Sequence, residues 1–187
     1  MSIRAALCLV FAVIFISSVT SAYAEEPTWL FTVPKAKSLK EGRYTVGFIY
    51  FDFGVTDNLE LGIHGLKYSL PGSADLAVGL SFLTFLSPYL VFSSDIGSGN
   101  LYLGLKAAPY IFFAGLEMPV ADKVKFVAEL NNGLSAGVRI FPARNWTLDI
   151  FAVFTSIEVY YKYRYQRIEF EQYHTYPGIL VAYSGKL

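Results

Sequence analysis

Residues 125–154, KFVAELNNGLSAGVRIFPARNWTLDIFAVF, constrain the fold more than any other stretch. They hold three runs in which apolar residues alternate with small or charged ones. Phe126, Ala128, Leu130, Leu134, Ala136, Val138, Ile140, Trp146, Leu148, Ile150 and Ala152 share one parity. Glu129, Ser135, Gly137, Arg139, Thr147 and Asp149 share the other. Alternation of this kind specifies β-strands, because successive side chains leave a strand on opposite faces. A two-residue loop at Asn132-Gly133 would set Glu129 against Ala136 and mix the faces. A three-residue loop, Asn131-Asn132-Gly133, instead pairs Leu130 with Leu134, Ala128 with Ala136 and Phe126 with Val138. It keeps both faces pure, and glycine supplies the positive φ that such a loop needs. Arg139 and Asp149 then lie opposite each other or one step apart.

The same rhythm runs through the rest of the chain. Alternating runs are expected at residues 43–53, 59–68, 75–82, 89–95, 101–106, 112–117, 157–164 and 178–186, with residues 166–176 a polar loop. The expected fold is all-β: one antiparallel up-and-down meander of about ten strands, with eight to twelve as the plausible span. A meander of that size has to close on itself to remove its edges. The nineteen uncharged residues between Asp75 and Asp95 could span a bilayer as a helix. Gly79, Pro88 and the large/small alternation favour strands.

The N-terminus reads as an export signal. Arg4 precedes an apolar stretch, and Ala22-Tyr23-Ala24 forms a small-x-small cleavage site, so residues 1–24 are expected to be removed after Ala24. The single cysteine, Cys8, lies inside that signal, so no disulfide supports the exported chain. Residues 25–41 form a lead-in, in which residues 29–33 could be a short strand or an interfacial anchor. Residues 42–187 form one barrel domain.

Which face of the meander meets solvent follows from the second face. It is rich in glycine and small residues: Gly47, Gly62, Ala77, Gly79, Ser81, Gly104, Gly115, Ser135 and Gly137. It also carries isolated charges of both signs, Arg43, Lys106, Arg139, Lys162 and Arg164 against Glu60, Asp75, Glu117, Glu129, Asp149 and Glu158, with His64 beside them. The exterior of a soluble protein is denser in Lys and Glu than this. Charged residues make up only 16 % of the chain, and its formal net charge is zero. That excludes the basic field that nucleic acid requires. A narrow polar lumen suits this composition, with the apolar face turned to lipid. Tyr44, Tyr50, Tyr89, Tyr110, Trp146, Tyr161 and Tyr163 fall near run ends, where interfacial aromatic girdles sit. The expected location is therefore the bacterial outer membrane. The expected partners are outer-membrane lipid and the barrel-assembly machinery.

Two stretches carry a resemblance, GVTDNLELGIHGLKYSLPG and FAGLEMPVADKVKFVAELNNGLSAGVRIFPARNWTLDIFAVF. They resemble bacterial outer-membrane β-barrel proteins, closest to the exopolysaccharide-associated YjbH-like family and related barrel families. The shared idiom is a strand with inward Glu129, an Asn-Gly turn, a strand with Gly137-x-Arg139, a Pro turn and a strand with inward Asp149. The resemblance covers most of residues 42–154 and implies fold and localisation, with a link to envelope polysaccharide as a further expectation. The ending Tyr183-Ser184-Gly185-Lys186-Leu187 departs from the aromatic terminus common among such barrels.

No catalytic, cofactor or metal motif stands out. His64 reads as an interior polar residue bonded to a carboxylate such as Glu60 or Asp75, and the only other histidine, His174, falls in the expected loop. No serine is singled out as a nucleophile. The run from Tyr160 to Tyr165 mixes aromatic and basic residues and reads as a strand. The leading expectation is a small, non-enzymatic outer-membrane barrel with a structural or envelope-accessory role, a narrow pore being one form of it. The alternatives are a soluble periplasmic barrel that binds a lipid or other apolar ligand, and a lipid-modifying barrel enzyme.

Overall fold

The computed structural model describes residues 26–48, 51–72, 75–82, 86–107, 112–131, 133–163 and 166–187, with side chains omitted for residues 156–174. The expected signal segment therefore lies outside the described residues, as do Tyr50, Tyr110 and Arg164. Twelve antiparallel strands close into a barrel, and the described residues form no helix. The strands are β1 (Arg43–Gly47), β2 (Phe51–Gly54), β3 (Leu59–Gly62), β4 (Gly65–Ser69), β5 (Leu76–Ser81) and β6 (Ser87–Ile96). They continue as β7 (Gly99–Lys106), β8 (Phe112–Ala121), β9 (Val124–Leu130), β10 (Leu134–Ile140), β11 (Trp146–Tyr163) and β12 (Gln166–Lys186). Each strand pairs with its neighbours in sequence, and β1 closes the barrel on β12, Arg43 opposite Lys186 and Gly47 opposite Ala182.

The β9–β10–β11 meander keeps the register that its two faces require. Leu130 pairs with Leu134, Ala128 with Ala136 and Phe126 with Val138. Gly133 carries a φ of +147°, a conformation L side chains rarely adopt. Arg139 lies directly opposite Asp149.

The structure has twelve strands where about ten were expected: two expected runs each fold into a hairpin, while the runs at 146–154 and 157–164 join into the single strand β11. The run at 43–53 turns after Gly47, so that Thr45 pairs with Asp52 and Tyr44 with Phe53. The run at 59–68 turns at Ile63-His64, so that Glu60 pairs with Lys67 and Leu61 with Leu66. Each turn restores a uniform face. A single strand over 59–68 would aim Leu66 and Tyr68 inward, whereas the hairpin aims Lys67 inward instead. The stretch between Asp75 and Asp95 forms strands β5 and β6. Residues 166–176, expected as a loop, belong to β12 and pair with β11 along its whole length. β10 accompanies β11 only as far as Phe154, so residues 155–163 and 166–175 pair as a two-stranded extension beyond the barrel wall.

The barrel has two unlike ends. Gly42 and Leu187 meet at the terminal end, Leu187 N–H donating to the Gly42 carbonyl at 2.9 Å. Turns at residues 55–58, 70–72, 97–98, 122–123 and 141–145 share that end. Turns at 63–64 and 131–133 and the β11–β12 hairpin lie at the far end.

The exterior is apolar, and the interior combines buried charges with an apolar and aromatic cluster built on Tyr89, Val91, Phe113 and Val127. Val46, Phe51, Leu61, Leu66, Val78, Leu90, Leu103, Leu130, Ile150 and Val181 are exposed on the outer wall. Thr45, Asp52, Glu60, Lys67, Glu117, Glu129, Arg139, Thr147 and Asp149 are buried within. Glycines on the inner face make room for rings. A Cβ on Gly79 would overlap the Tyr89 ring, which lies inside the barrel against Trp29 and Phe113. Tyr89 is thus lumenal and takes no part in an interfacial girdle.

Candidate functional site: a charged lumen filled by the N-terminal segment

Residues 26–40 do not trail from the barrel; they fill it. The segment enters at the terminal end, climbs to the far end and returns as a narrow hairpin. Trp29 bridges Pro34, Leu30 N–H donates to the Val33 carbonyl at 2.9 Å, and Lys35 N–H donates to Thr28 at 2.9 Å. Trp29, Leu30, Phe31, Val33, Ala36 and Leu39 are all buried. Burying each large apolar side chain among them contributes about 1.5–3 kcal/mol, taken as an upper range. Phe31 stacks on Phe151 of β11 with centroids 4.1 Å apart, and Trp29 stacks on His64 at 4.6 Å. Gly115 of β8 receives the Leu30 side chain, and a Cβ there would overlap Leu30 Cδ1.

The wall charges form the receptor for this hairpin. Near its tip, the backbone N–H groups of Phe31, Thr32 and Val33 donate to Glu129 Oε2 at 3.2, 2.9 and 3.0 Å. Thr32 Oγ1 donates to Glu129 Oε1 at 2.8 Å. Three consecutive amides converging on one carboxylate make an anion nest, here built by the plug around a wall residue. On the neighbouring strands, Arg139 donates to Asp149 through Nε and Nη2, both at 2.8 Å. Its Nη1 and Nη2 also reach the Trp29 and Leu30 carbonyls at 3.2 and 3.1 Å. The planar guanidinium suits this double duty, with one edge for a carboxylate and the remaining donors for backbone.

Glu60 of β3 receives the other arm. Thr28 Oγ1 donates to it at 2.7 and 2.8 Å, Trp29 Nε1 at 3.2 Å and Leu39 N–H at 2.7 Å. Lys67 lies 3.1 Å from Glu60 and donates to the Thr28 carbonyl at 3.1 Å. Closer to the terminal end, plug residue Lys35 donates to Glu117 at 2.9 and 3.1 Å, and Tyr102 donates to the same carboxylate at 3.3 Å. Lys35 also meets Glu26, which pairs with Lys125. Ser69 completes the return arm, donating to the Ala36 carbonyl at 2.7 Å.

The expected charge balance therefore takes a different form. Five buried wall carboxylates (Asp52, Glu60, Glu117, Glu129 and Asp149) face two fully buried wall cations, Lys67 and Arg139. The wall does not neutralise itself. Lys125 of β9, 3.6 Å from Glu117, offsets part of the excess, and Lys35 with the plug's amide and hydroxyl donors offsets more of it. Buried charges need such partners, because removing them from water costs several kcal/mol per ion.

The structure divides the remaining sequence candidates. Arg43 is half-buried at the terminal rim, and Lys106 is half-buried near the far rim, where it bonds Asn131. Asp75 is exposed in the turn before β5, outside the buried network. Glu158 and Lys162 occupy the part of β11 beyond Phe154 and so lie past the closed wall, with Arg164 outside the described residues. His64 is buried in the β3–β4 turn, and its carboxylate neighbour is Asp52, 3.5 Å from Nδ1, in place of Glu60 or Asp75. His174 has no described side chain.

Sequence reasoning missed the plug and, with it, Thr28, Trp29, Lys35, Asp52 and Lys67. The one signal was the apolar cluster Trp29-Leu30-Phe31 between Pro27 and Pro34, in a lead-in otherwise rich in lysine. Near the terminal end the plug leaves a polar cavity of about 450 Å³, lined by Thr28, Lys35, Lys37, Asp75, Asn100 and Tyr102 among others. Chemically the lumen is a fixed polar lattice. The Thr28 hydroxyl is committed to Glu60, and no group of three or more metal-ligating side chains occurs among the described residues. Comparison with protein-family models, with curated proteins and with solved structures returned no match.

Proposed function

We propose that this chain is an outer-membrane β-barrel whose own N-terminal hairpin closes the lumen, with a structural or envelope-accessory role and no catalysis. The supporting observation is the inversion of polarity: large apolar side chains cover the outside, while five carboxylates, two basic residues and a peptide plug fill the inside. A soluble barrel reverses that arrangement, and one that binds an apolar ligand keeps an open lumen free of buried charges, so the charged and plugged interior counts against both. Trp146, Tyr183 and Tyr44 cluster at the terminal end, Trp146 and Tyr183 with centroids 5.3 Å apart, as amphipathic rings do at a bilayer interface. On this reading outer-membrane lipid surrounds the wall, the barrel-assembly machinery inserts it, and it conducts little while plugged.

The test is fractionation of the exported chain. The expected result is recovery in the outer-membrane fraction with heat-modifiable migration on a gel. Recovery as a detergent-free monomer in the periplasm overturns the proposal.

A link to envelope polysaccharide is the finer reading, suggested by the resemblance to YjbH-like barrels. Its physical support is the terminal-end cavity, where hydroxyl, amide, ammonium and carboxylate groups surround a space of about 450 Å³. Sugars are recognised by such groups. Isothermal titration with exopolysaccharide fragments is expected to give a heat of binding that Asn100→Ala weakens; absence of binding at millimolar sugar removes this reading.

A further inference from the structure

The wall of the barrel is uneven in height, and its low side ends in apolar turns. β2 and β3 have four residues each, β4 five and β5 six, against ten in β6 and ten in β8. At about 3.3 Å per residue, a four-residue strand covers about 13 Å. The apolar band of a membrane barrel stands about 25 Å tall and normally takes strands of about 9–11 residues. Strands β2 to β4 therefore cannot cross that band by themselves.

The far-end residues that follow these strands are apolar and exposed. Phe48 after β1 is 91 % exposed, Ile63 between β3 and β4 49 %, and Leu86 before β6 73 %. Phe82 after β5 and Phe51 at the start of β2 are exposed as well. Turns at the terminal end carry Thr56, Asp57, Asn58, Gly97, Ser98, Asp122 and Lys123 instead. Three far-end backbone amides are paired across neighbouring strands. Ile63 N–H donates to the Phe51 carbonyl at 2.8 Å, Phe82 N–H to the His64 carbonyl at 3.1 Å, and Ala107 N–H to the Pro88 carbonyl at 3.0 Å. Backbone inside hydrocarbon must satisfy its hydrogen bonds within the protein. The His64 imidazole, the one polar side chain in the Ile63-His64 turn, is buried beneath Trp29 and kept off the outer surface.

We propose that the described far-end residues between β1 and β6 form a lipid-embedded surface, with acyl chains covering Phe48, Ile63, Phe82 and Leu86. Among the described residues, Phe48, Ile63, Phe82 and Leu86 continue the apolar outer belt of Val46, Leu61, Leu66 and Val78, and they add height that the short strands lack. On the other side β11 and β12, at 18 and 21 residues, carry the β11–β12 hairpin well past it. The molecule thus has a submerged side and a projecting side, and the bilayer thins toward β2–β4 wherever the turns do not fill the mismatch. This inference rests on the membrane reading above.

Site-directed nitroxide labelling of the chain in phosphatidylcholine vesicles tests both at once. In a Cys8→Ser background, Phe48→Cys, Ile63→Cys and Leu86→Cys are labelled singly. Ile150→Cys serves as the mid-wall reference and Asp122→Cys as the aqueous reference. Heat-modifiable migration confirms that each variant is folded. The expected result is oxygen accessibility at the three rim labels close to that at Ile150, with nickel-complex accessibility far below that at Asp122. Rim labels that behave like Asp122 while Ile150 stays oxygen-accessible overturn the embedded rim and leave the membrane barrel standing. Rim labels shielded from both reagents indicate cover by protein, as in contact between copies, and also overturn it. A nickel-accessible Ile150 overturns the membrane reading and the rim with it.

Discussion

Arg139 and Asp149 face each other across β10 and β11 with two 2.8 Å bonds, and the same guanidinium holds the Trp29 and Leu30 carbonyls of the plug. One side chain therefore joins the closure of the wall to the filling of the lumen. Arg139 is completely buried, so its loss leaves Asp149 uncompensated. Arg139→Leu is expected to cost about 3–5 kcal/mol, the usual penalty for breaking one side of a buried pair. Urea unfolding of the refolded barrel measures this, and trypsin cleavage after Lys37 or Lys40 should accelerate as the hairpin loosens. An unchanged midpoint and cleavage rate would contradict the arrangement.

The plug and the wall are complementary in charge, which predicts what an unplugged barrel does. Deleting residues 26–40 leaves five carboxylates lining the emptied lumen against Lys67, Lys125 and Arg139. The emptied lumen is expected to conduct, to prefer cations and to lose stability. Planar-bilayer recording measures the first two, with reversal potential in a salt gradient as the readout. Anion preference would sink the prediction.

Gly115 offers a steric test of the same interface. A Cβ there overlaps Leu30 Cδ1, so Gly115→Val is expected to displace the plug and cost about 1–3 kcal/mol, the range for overpacking. Adding Leu30→Ala should recover part of the loss. A double-mutant cycle in urea checks it; additive effects would mean that the two positions do not meet.

The three-stranded meander from β9 to β11 was legible in the sequence because its alternation is unbroken and Gly133 marks the one loop length that keeps both faces pure. The β1–β2 and β3–β4 hairpins were hidden because Gly47 and Gly62 also fit the small inward positions of a continuous strand, and the loop residues Ile63-His64 are not turn formers, although Gly65 beside them carries a φ of +137°. Residues 166–176 were read as a loop for the opposite reason. Their polarity suits solvent on both faces, as a hairpin standing beyond the wall permits. The plug has no periodicity at all. It is an irregular segment held by partners 21 to 110 residues away, so only tertiary structure reveals it. Inward charges such as Glu129 and Asp149 were visible from parity, but what they hold was not.

The outer wall supplies a test of the solvent it meets. Ala136 shares the outward parity of Leu134 and Val138, midway along β10. Ala136→Arg is expected to destabilise a membrane-inserted barrel by about 2–4 kcal/mol. Unfolding from phospholipid vesicles measures it. A neutral effect would place that face in water.

The plug also imposes an order of events. Its anchors come from β3, β4, β8, β9 and β10, so the socket exists only after nearly the whole wall has been assembled. A segment that precedes the barrel in the chain is among the last parts to settle, since contacts so distant in sequence are slow to form. During refolding the strands should become protease-resistant before Lys37 and Lys40 do. Protection of those lysines then works as a receipt for a completed barrel, issued by the chain itself.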